Sequence, residues 1–174
     1  MGVEIERKYL VRDVSVVAGL SDTRIRQGYL SVDPERTVRV RVSGPRAFLT
    51  VKGTGSEGGA SRPEFEYEIP LPDAEELLDG LALRPQIDKT RYRVADGGLV
   101  WEIDVFAGEN DGLVIAEVEL PSEETPVVLP DCIGQEVTGD GRYYNANLVG
   151  HPYKRWSKTW PATRRSPDPG DRQK

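Results

Sequence analysis

Hydrophobic and polar residues alternate with a period of two along most of the chain. Over residues 3–10, apolar Val3, Ile5 and Tyr9 oppose charged Glu4, Glu6 and Lys8, with Arg7 interrupting the apolar side. Residues 38–42 set Arg39 and Arg41 against Val38, Val40 and Val42, and residues 48–52 send Lys52 to the face opposite Leu49 and Val51. Residues 64–69 contrast Glu64, Glu66 and Glu68 with Phe65, Tyr67 and Ile69, and residues 89–94 contrast Lys89, Arg91 and Arg93 with Tyr92 and Val94. The same pattern returns at 101–105, with Glu102 and Asp104 on one face, and at 115–120, with Glu117 and Glu119. Successive side chains of a strand point to opposite faces, so each run predicts a β-strand.

Turn residues separate these runs: Asp33-Pro34, Ser43-Gly44-Pro45, residues 53–59, Asp96-Gly97-Gly98 and residues 108–112. Such short connections favour antiparallel pairing, because parallel neighbours need long crossovers. Helix is scarce. Residues 73–83 carry an apolar stripe of Ala74, Leu77, Leu78 and Leu81 behind Pro72, and residues 144–149 form a weaker candidate. The proline-rich, charged stretch after Trp160 is expected to be disordered. The expected fold is mainly β, classed α+β for its few short helices.

At 174 residues the chain suits one domain with its own core. Its net charge of −6 speaks against a nucleic-acid-binding surface. Cys132 is the single cysteine, which fits a reducing cytosol and excludes a disulfide framework. The opening MGVEIERKYL has no apolar core of a signal peptide, and no segment reaches membrane-spanning length. A cytoplasmic protein without a membrane partner is expected, as monomer or homodimer.

The charges then change the picture. They come in same-sign, same-face pairs, Glu4/Glu6, Arg39/Arg41, Glu64/Glu66, Lys89/Arg91, Glu102/Asp104 and Glu117/Glu119. A solvated face normally mixes charge with Ser, Thr and Gln. Repeated like pairs repel and need partners, and a closed barrel supplies them while removing exposed sheet edges. Its lumen would then carry a basic wall of Lys8, Arg39, Arg41, Lys52, Lys89 and Arg91. The acidic wall would hold Glu4, Glu6, Glu64 and Glu66 together with Glu102, Asp104, Glu117 and Glu119.

Burying so many ions is costly unless they are paired or hold a ligand. Arginines and lysines suit a multiply charged anion, and carboxylates suit hard divalent cations such as Mg²⁺, which bridges carboxylates to phosphates. A metal-bound polyphosphate meets both requirements. Competing chemistries fare worse. His151 is the single histidine and lies near the tail, which disfavours a hydrolase triad, and one Cys with one His makes no zinc site. There is no GxxxxGK[ST] loop. Paired carboxylates also occur in glycosidases, but such a site needs no wall of cations.

The series Glu4-Ile5-Glu6-Arg7-Lys8 (ExExK), Arg39/Arg41, Lys52, Glu64/Glu66, Lys89/Arg91, Glu102/Asp104 and Glu117/Glu119 resembles, in order, the motifs of the CYTH superfamily, the triphosphate tunnel metalloenzymes. The stretches RQGYL, DKTRY, DVFAG and EVTGDGRYYN are similar to its short bacterial branch. The resemblance spans residues 1–149 and implies a closed eight-stranded antiparallel β-barrel, or tunnel, that binds a triphosphate with Mg²⁺ or Mn²⁺. It implies metal ligation by Glu4, Glu6, Glu117 and Glu119, and phosphate binding by the Arg/Lys wall.

Hydrolysis of inorganic tripolyphosphate is the activity the resemblance implies first, with class IV adenylate cyclase or nucleoside or thiamine triphosphatase as alternatives. A non-catalytic polyphosphate-binding module is the alternative from another class. Tyr29 of RQGYL maps to a tyrosine viewed as general base, with Lys8 beside it as a catalytic and substrate-binding group; packing alone is the other role open to Tyr29. Arg142 is expected to reach the lumen if the helix at 144–149 plugs one tunnel end. Pro63 should delay the strand of Glu64 or place its start at an edge. The expected organisation is a tunnel domain over residues 1–152 and a C-terminal extension over 153–174.

Overall fold

The protein's structure, a computed structural model, describes residues 2–56 and 60–157. Among these residues one sheet holds β1 (Gly2–Val11), β2 (Asp22–Ser31), β3 (Arg36–Ser43), β4 (Arg46–Gly53) and β5 (Ser61–Ile69). It continues with β6 (Ile87–Asp96), β7 (Leu99–Phe106), β8 (Val114–Glu119) and β9 (Ile133–Glu136). Hydrogen-bonded neighbours run β5-β4-β3-β2-β6-β7-β8-β1, and β1 pairs back onto β5. Every pairing is antiparallel, so eight strands close into a barrel. β9 is an extra strand on the far half of β1, with Val11 opposite Ile133.

The closure runs through β5. Residues 64–69 pair with β4, while residues 61–64 pair with β1, placing Val3 opposite Pro63 and Glu4 opposite Arg62. The expected delay at Pro63 does not occur, since the strand begins two residues earlier, at Ser61. Pro63 stands where the ladder to β4 has ended, so its missing N–H interrupts no β4 bond.

The apolar packing lies outside the barrel and at one end of it. Helix α1 (Leu71–Gly80) lays Ala74 and Leu78 on Val40 and Ala47 of β3 and β4. It starts two residues before the predicted 73–83, with Pro72 inside its first turn, and Leu81 of the expected stripe is exposed. Gly28 on β2 meets this helix closely: a Cβ there would lie 2.7 Å from Ala82 Cβ and 2.9 Å from Leu78 Cδ2. A second cluster, with Tyr9, Trp101, Ile103 and Val118, covers the outer face of β1, β7 and β8.

A third cluster fills one end of the lumen. Inward-facing Tyr29, Ile87, Phe106 and Ile115 pack there with Leu148 and Val149 of α2 (Asn145–Gly150). Tyr153 and Trp156 of α3 (Tyr153–Trp156) join that cluster, so the packing continues past residue 152. No described helix is long and apolar enough to cross a membrane. The stretch expected to be disordered, after Trp160, lies outside the described residues.

Candidate active site

Strand alternation fixes which side chains enter the lumen. β1 supplies Glu4, Glu6 and Lys8, and β8 supplies Glu117 and Glu119; Lys8 sits opposite Glu117 and Glu6 opposite Glu119. β6 and β7 set Arg91 opposite Asp104, while Glu102 faces Glu117 across β7 and β8. β4 and β5 set Lys52 opposite Glu64 and Thr50 opposite Glu66, and β3 brings Arg39 opposite Thr50. Apart from Thr50 and Asp104, which are fully buried behind it, these side chains, with Tyr29, Arg41 and Lys89, surround a cavity of about 900 Å³.

The deepest charges form a knot. Lys89 Nζ donates to Asp104 Oδ2 at 2.5 Å, and Arg91 forks onto both oxygens of Asp104 at 2.7 Å. Arg91 also donates to Glu117 at 2.9 Å and to Glu102. Lys8 Nζ completes the knot, 2.5 Å from Glu117 and 2.8 Å from Glu6. Burial disfavours the Glu117 carboxylate, yet Lys8, Lys89 and Arg91 outweigh it and hold the group well below the usual carboxylate range. Burial likewise opposes the charge on Lys8, but Glu117 and Glu6 raise its pKa overall.

The carboxylates near the β1–β5 closure are more open. Glu4 accepts from Lys52 at 2.7 Å and from Arg62 at 3.2 Å. Its carboxyl is lowered to about 2, because Lys52, a hydrogen bond from Glu64, and Arg62 together outweigh its burial. Glu119 has no ion pair among the described residues. Burial and the neighbouring Glu4, Glu102 and Glu6 push its carboxyl up.

Across the cavity, Arg39 and Arg41 share Glu66, at 3.3 and 3.0 Å. The Nε groups of both arginines are buried and have no acceptor among the described residues. Burial and the adjacent Arg39 push Arg41 below its ordinary pKa. Partly buried, crowded cations with idle donors are suited to receive an anion.

Tyr29 lines this cavity, and burial raises its phenol; Arg39, Arg62 and Lys8 pull the other way without reversing that. The phenol is therefore protonated at neutral pH. Arg142 does not reach the lumen. Its guanidinium forks onto Asp140, at 3.0 and 2.5 Å, and lies 5.6 Å from the ring centres of Tyr143 and Trp156. The neighbouring segment does meet the cavity, which Tyr144, Asn145 and Asn147 line. Arg62 is a lumen cation absent from the paired-charge series. Its place two residues before Glu64 put it on the same face, and the expectation that Pro63 delays the strand hid it.

Among the described residues no three carboxylates converge as a preformed metal cage. Glu4, Glu6 and Glu117 turn to lysine and arginine partners instead. The donors are nonetheless all hard oxygens, and Glu119 has no ion pair among the described residues. That set fits an ion such as Mg²⁺, which takes one or two carboxylates and completes its shell with water and substrate phosphates.

The sequence profile of the CYTH domain matches residues 2–145. The chain belongs to the CYTH domain family. This CYTH protein is 49% identical over 158 residues to an inorganic triphosphatase of Acetivibrio thermocellus, covering 91% of this chain and 100% of that one. It is 40% identical over 151 residues to an inorganic triphosphatase of Nitrosomonas europaea, covering 84% of this chain and 96% of the other. A crystal structure of an inorganic triphosphatase superposes with a TM-score of 0.61 at 35% identity, covering 86% of this CYTH chain and 95% of that structure.

Proposed function

We propose that this CYTH protein hydrolyses a triphosphate, inorganic tripolyphosphate first among them, to pyrophosphate and phosphate within the barrel. The observation that carries the reading is the pairing of two walls around one cavity: crowded arginines with idle donors, and a carboxylate wall in which Glu119 has no ion pair among the described residues. A binding module for polyphosphate needs the first wall and not the second. The similarity to two inorganic triphosphatases supports the same substrate.

In this reading the tunnel domain, residues 1–152, carries the activity. Arg39, Arg41, Lys52, Lys89 and Arg91 bind the phosphate oxygens, and Lys8 joins them from the floor of the knot. Water attacks the terminal phosphorus, the bridging P–O bond breaks, the charge gathers on the leaving pyrophosphate, and the proton lost by the water passes to a phosphate oxygen of the products. Prearranged cations stabilise that charge without reorganising, which is where most of the catalysis of phosphoryl transfer lies. Glu4, Glu6, Glu117 and Glu119 would hold Mg²⁺ or Mn²⁺. A bound divalent ion supplies neutralisation of phosphate oxygens and acidifies a coordinated water. Tyr29, protonated by its burial, orients the attacking water by a hydrogen bond; it is a poor resident base. Arg142 is left outside the substrate contacts.

The test is phosphate release from tripolyphosphate, ATP and thiamine triphosphate with Mg²⁺ or Mn²⁺, for the native protein, Glu4→Ala and Lys8→Ala. Turnover of tripolyphosphate that both substitutions abolish is the expected result. Tight triphosphate binding without turnover of any substrate would establish a binding module. Cyclic AMP formed from ATP would make the enzyme a cyclase.

A further inference from the structure

Arg62 sits at the seam where the barrel closes. Strand pairing places it directly opposite Glu4, and its Nε donates to Glu4 Oε2 at 3.2 Å. Its Nη2 stands 3.5 Å from Glu6 Oε1. Each of these carboxylates also has a lysine at short range: Lys52 is 2.7 Å from Glu4 and Lys8 is 2.8 Å from Glu6. Arg62 is therefore the cation that the two acids share, and it is held more loosely than either lysine.

Its surroundings separate it further from those lysines. The Arg62 side chain is 30% exposed, against 7% for Lys8 and for Lys52. A long, partly solvated side chain can swing away without stranding a charge in a dry interior, whereas the lysines cannot. Glu4 and Glu6 already repel Glu119, and without Arg62 that repulsion would be less compensated.

We propose that Arg62 is an internal counter-ion, which occupies the Glu4–Glu6 pair until a divalent cation displaces it. This rests on the reading that Glu4 and Glu6 receive the metal. Arginine neutralises the two acids with one diffuse positive charge, and a divalent ion brings twice that charge in a compact volume. The same two oxygens, Glu4 Oε2 and Glu6 Oε1, thus face competing cations. A displaced guanidinium stays tethered within the cavity, where its planar fork is free for a phosphate.

Competition predicts that removing Arg62 tightens metal binding, whereas a merely structural role predicts no change or a loss. Mn²⁺ binding to the metal-free, full-length protein without substrate can be followed by electron paramagnetic resonance and calorimetry. Arg62→Gln, with Arg62→Met as a second variant in case the first is unstable, should lower the Mn²⁺ dissociation constant about fivefold or more, as loss of a nearby unit charge requires. Arg62→Lys keeps a mobile cation, and Arg93→Gln removes the same charge beside Glu102; both should stay within about twofold of the native protein.

Unchanged or weaker binding in Arg62→Gln and Arg62→Met overturns the inference, as does equal tightening in Arg93→Gln, which would show bulk charge alone. Glu4→Gln separates the two layers of the argument. If it weakens Mn²⁺ binding while the Arg62 variants do not tighten it, the counter-ion idea fails and the metal site stands. If Glu4→Gln leaves Mn²⁺ affinity untouched, the assignment of metal to Glu4 fails and takes the inference with it.

Discussion

Around β6 and β7, the lumen holds Lys89, Arg91, Asp104 and Glu117; around the β1–β5 seam it holds Glu4, Glu6, Arg62 and Glu119. The residue types are alike and the construction is not. In the first group Asp104 is fully buried, and its oxygens accept from both cations at 2.5–2.7 Å. In the second, Lys52 and Lys8 hold Glu4 and Glu6 at 2.7 and 2.8 Å, but the contacts of Arg62 lengthen to 3.2 and 3.5 Å, and Glu119 has no ion pair among the described residues. Closed compensation fixes geometry, because any displacement strands a charge in a dry interior. Incomplete compensation leaves room for an ion from solution. The difference divides the labour of the proposed hydrolase, with a rigid phosphate-facing group, an exchangeable metal-facing one, and Glu117 shared between them.

Breaking the closed group should cost most. Asp104→Ala leaves Lys89 and Arg91 buried without their main partner, and a stability loss of about 3–5 kcal/mol in urea denaturation is expected. Replacing Lys89, Arg91 and Asp104 together by apolar residues of similar volume should recover most of that loss while abolishing activity. If the triple variant is as unstable as the single one, the knot contributes more than mutual compensation.

Lys8 links the two groups, and Lys8→Met should cost about 2–4 kcal/mol, since Glu117 retains Arg91 while Glu6 keeps only the distant Arg62. A smaller change, about 1 kcal/mol, is expected for Glu4→Gln, because Lys52 still holds Glu64 at 2.9 Å. Its larger effect should appear in Mn²⁺ affinity.

Glu119→Gln should alter stability least, within about 0.5 kcal/mol at neutral pH. Its signature is a slope. A carboxyl raised above its ordinary value of 4.5 binds its proton more tightly in the folded state, so stability is fullest below that pH and declines as pH rises through the folded pKa. In chelator-treated protein, thermal melts from mild acid to neutral pH should show the native chain losing ground to Glu119→Gln. Parallel curves would mean that Glu119 is compensated after all, and the contrast between the two groups would weaken.

How much of this could be read from residues alone depends on whether the two faces of a strand differ in polarity. β1, β3, β4, β6, β7 and β8 each have one charged lumen face and one apolar outer face, and alternation exposes both. β2 does not: Ile25, Gln27, Gly28 and Tyr29 are buried, and α1 presses on its outer side at Gly28, so no polar face marks it. β9 is four residues long, too short for a pattern. Same-sign pairing revealed most of the lumen, but Arg62 precedes a proline and pairs with an acid two residues on, so no like-charged neighbour singled it out. Arg142 misled for the converse reason. Asp140, two residues away, captures its guanidinium before it can turn inward.

The apolar clusters lie on the barrel's outer faces and at one end, and that arrangement bears on how such a protein changes over evolutionary time. The hydrophobic stabilisation resides in the shell, so the ionic interior is largely released from the task of holding the chain together. Whole ion clusters can be exchanged there at little cost, provided partners change together. One durable shell can accordingly host successive chemistries on the same lumen positions, with innovation confined to a few inward-facing codons.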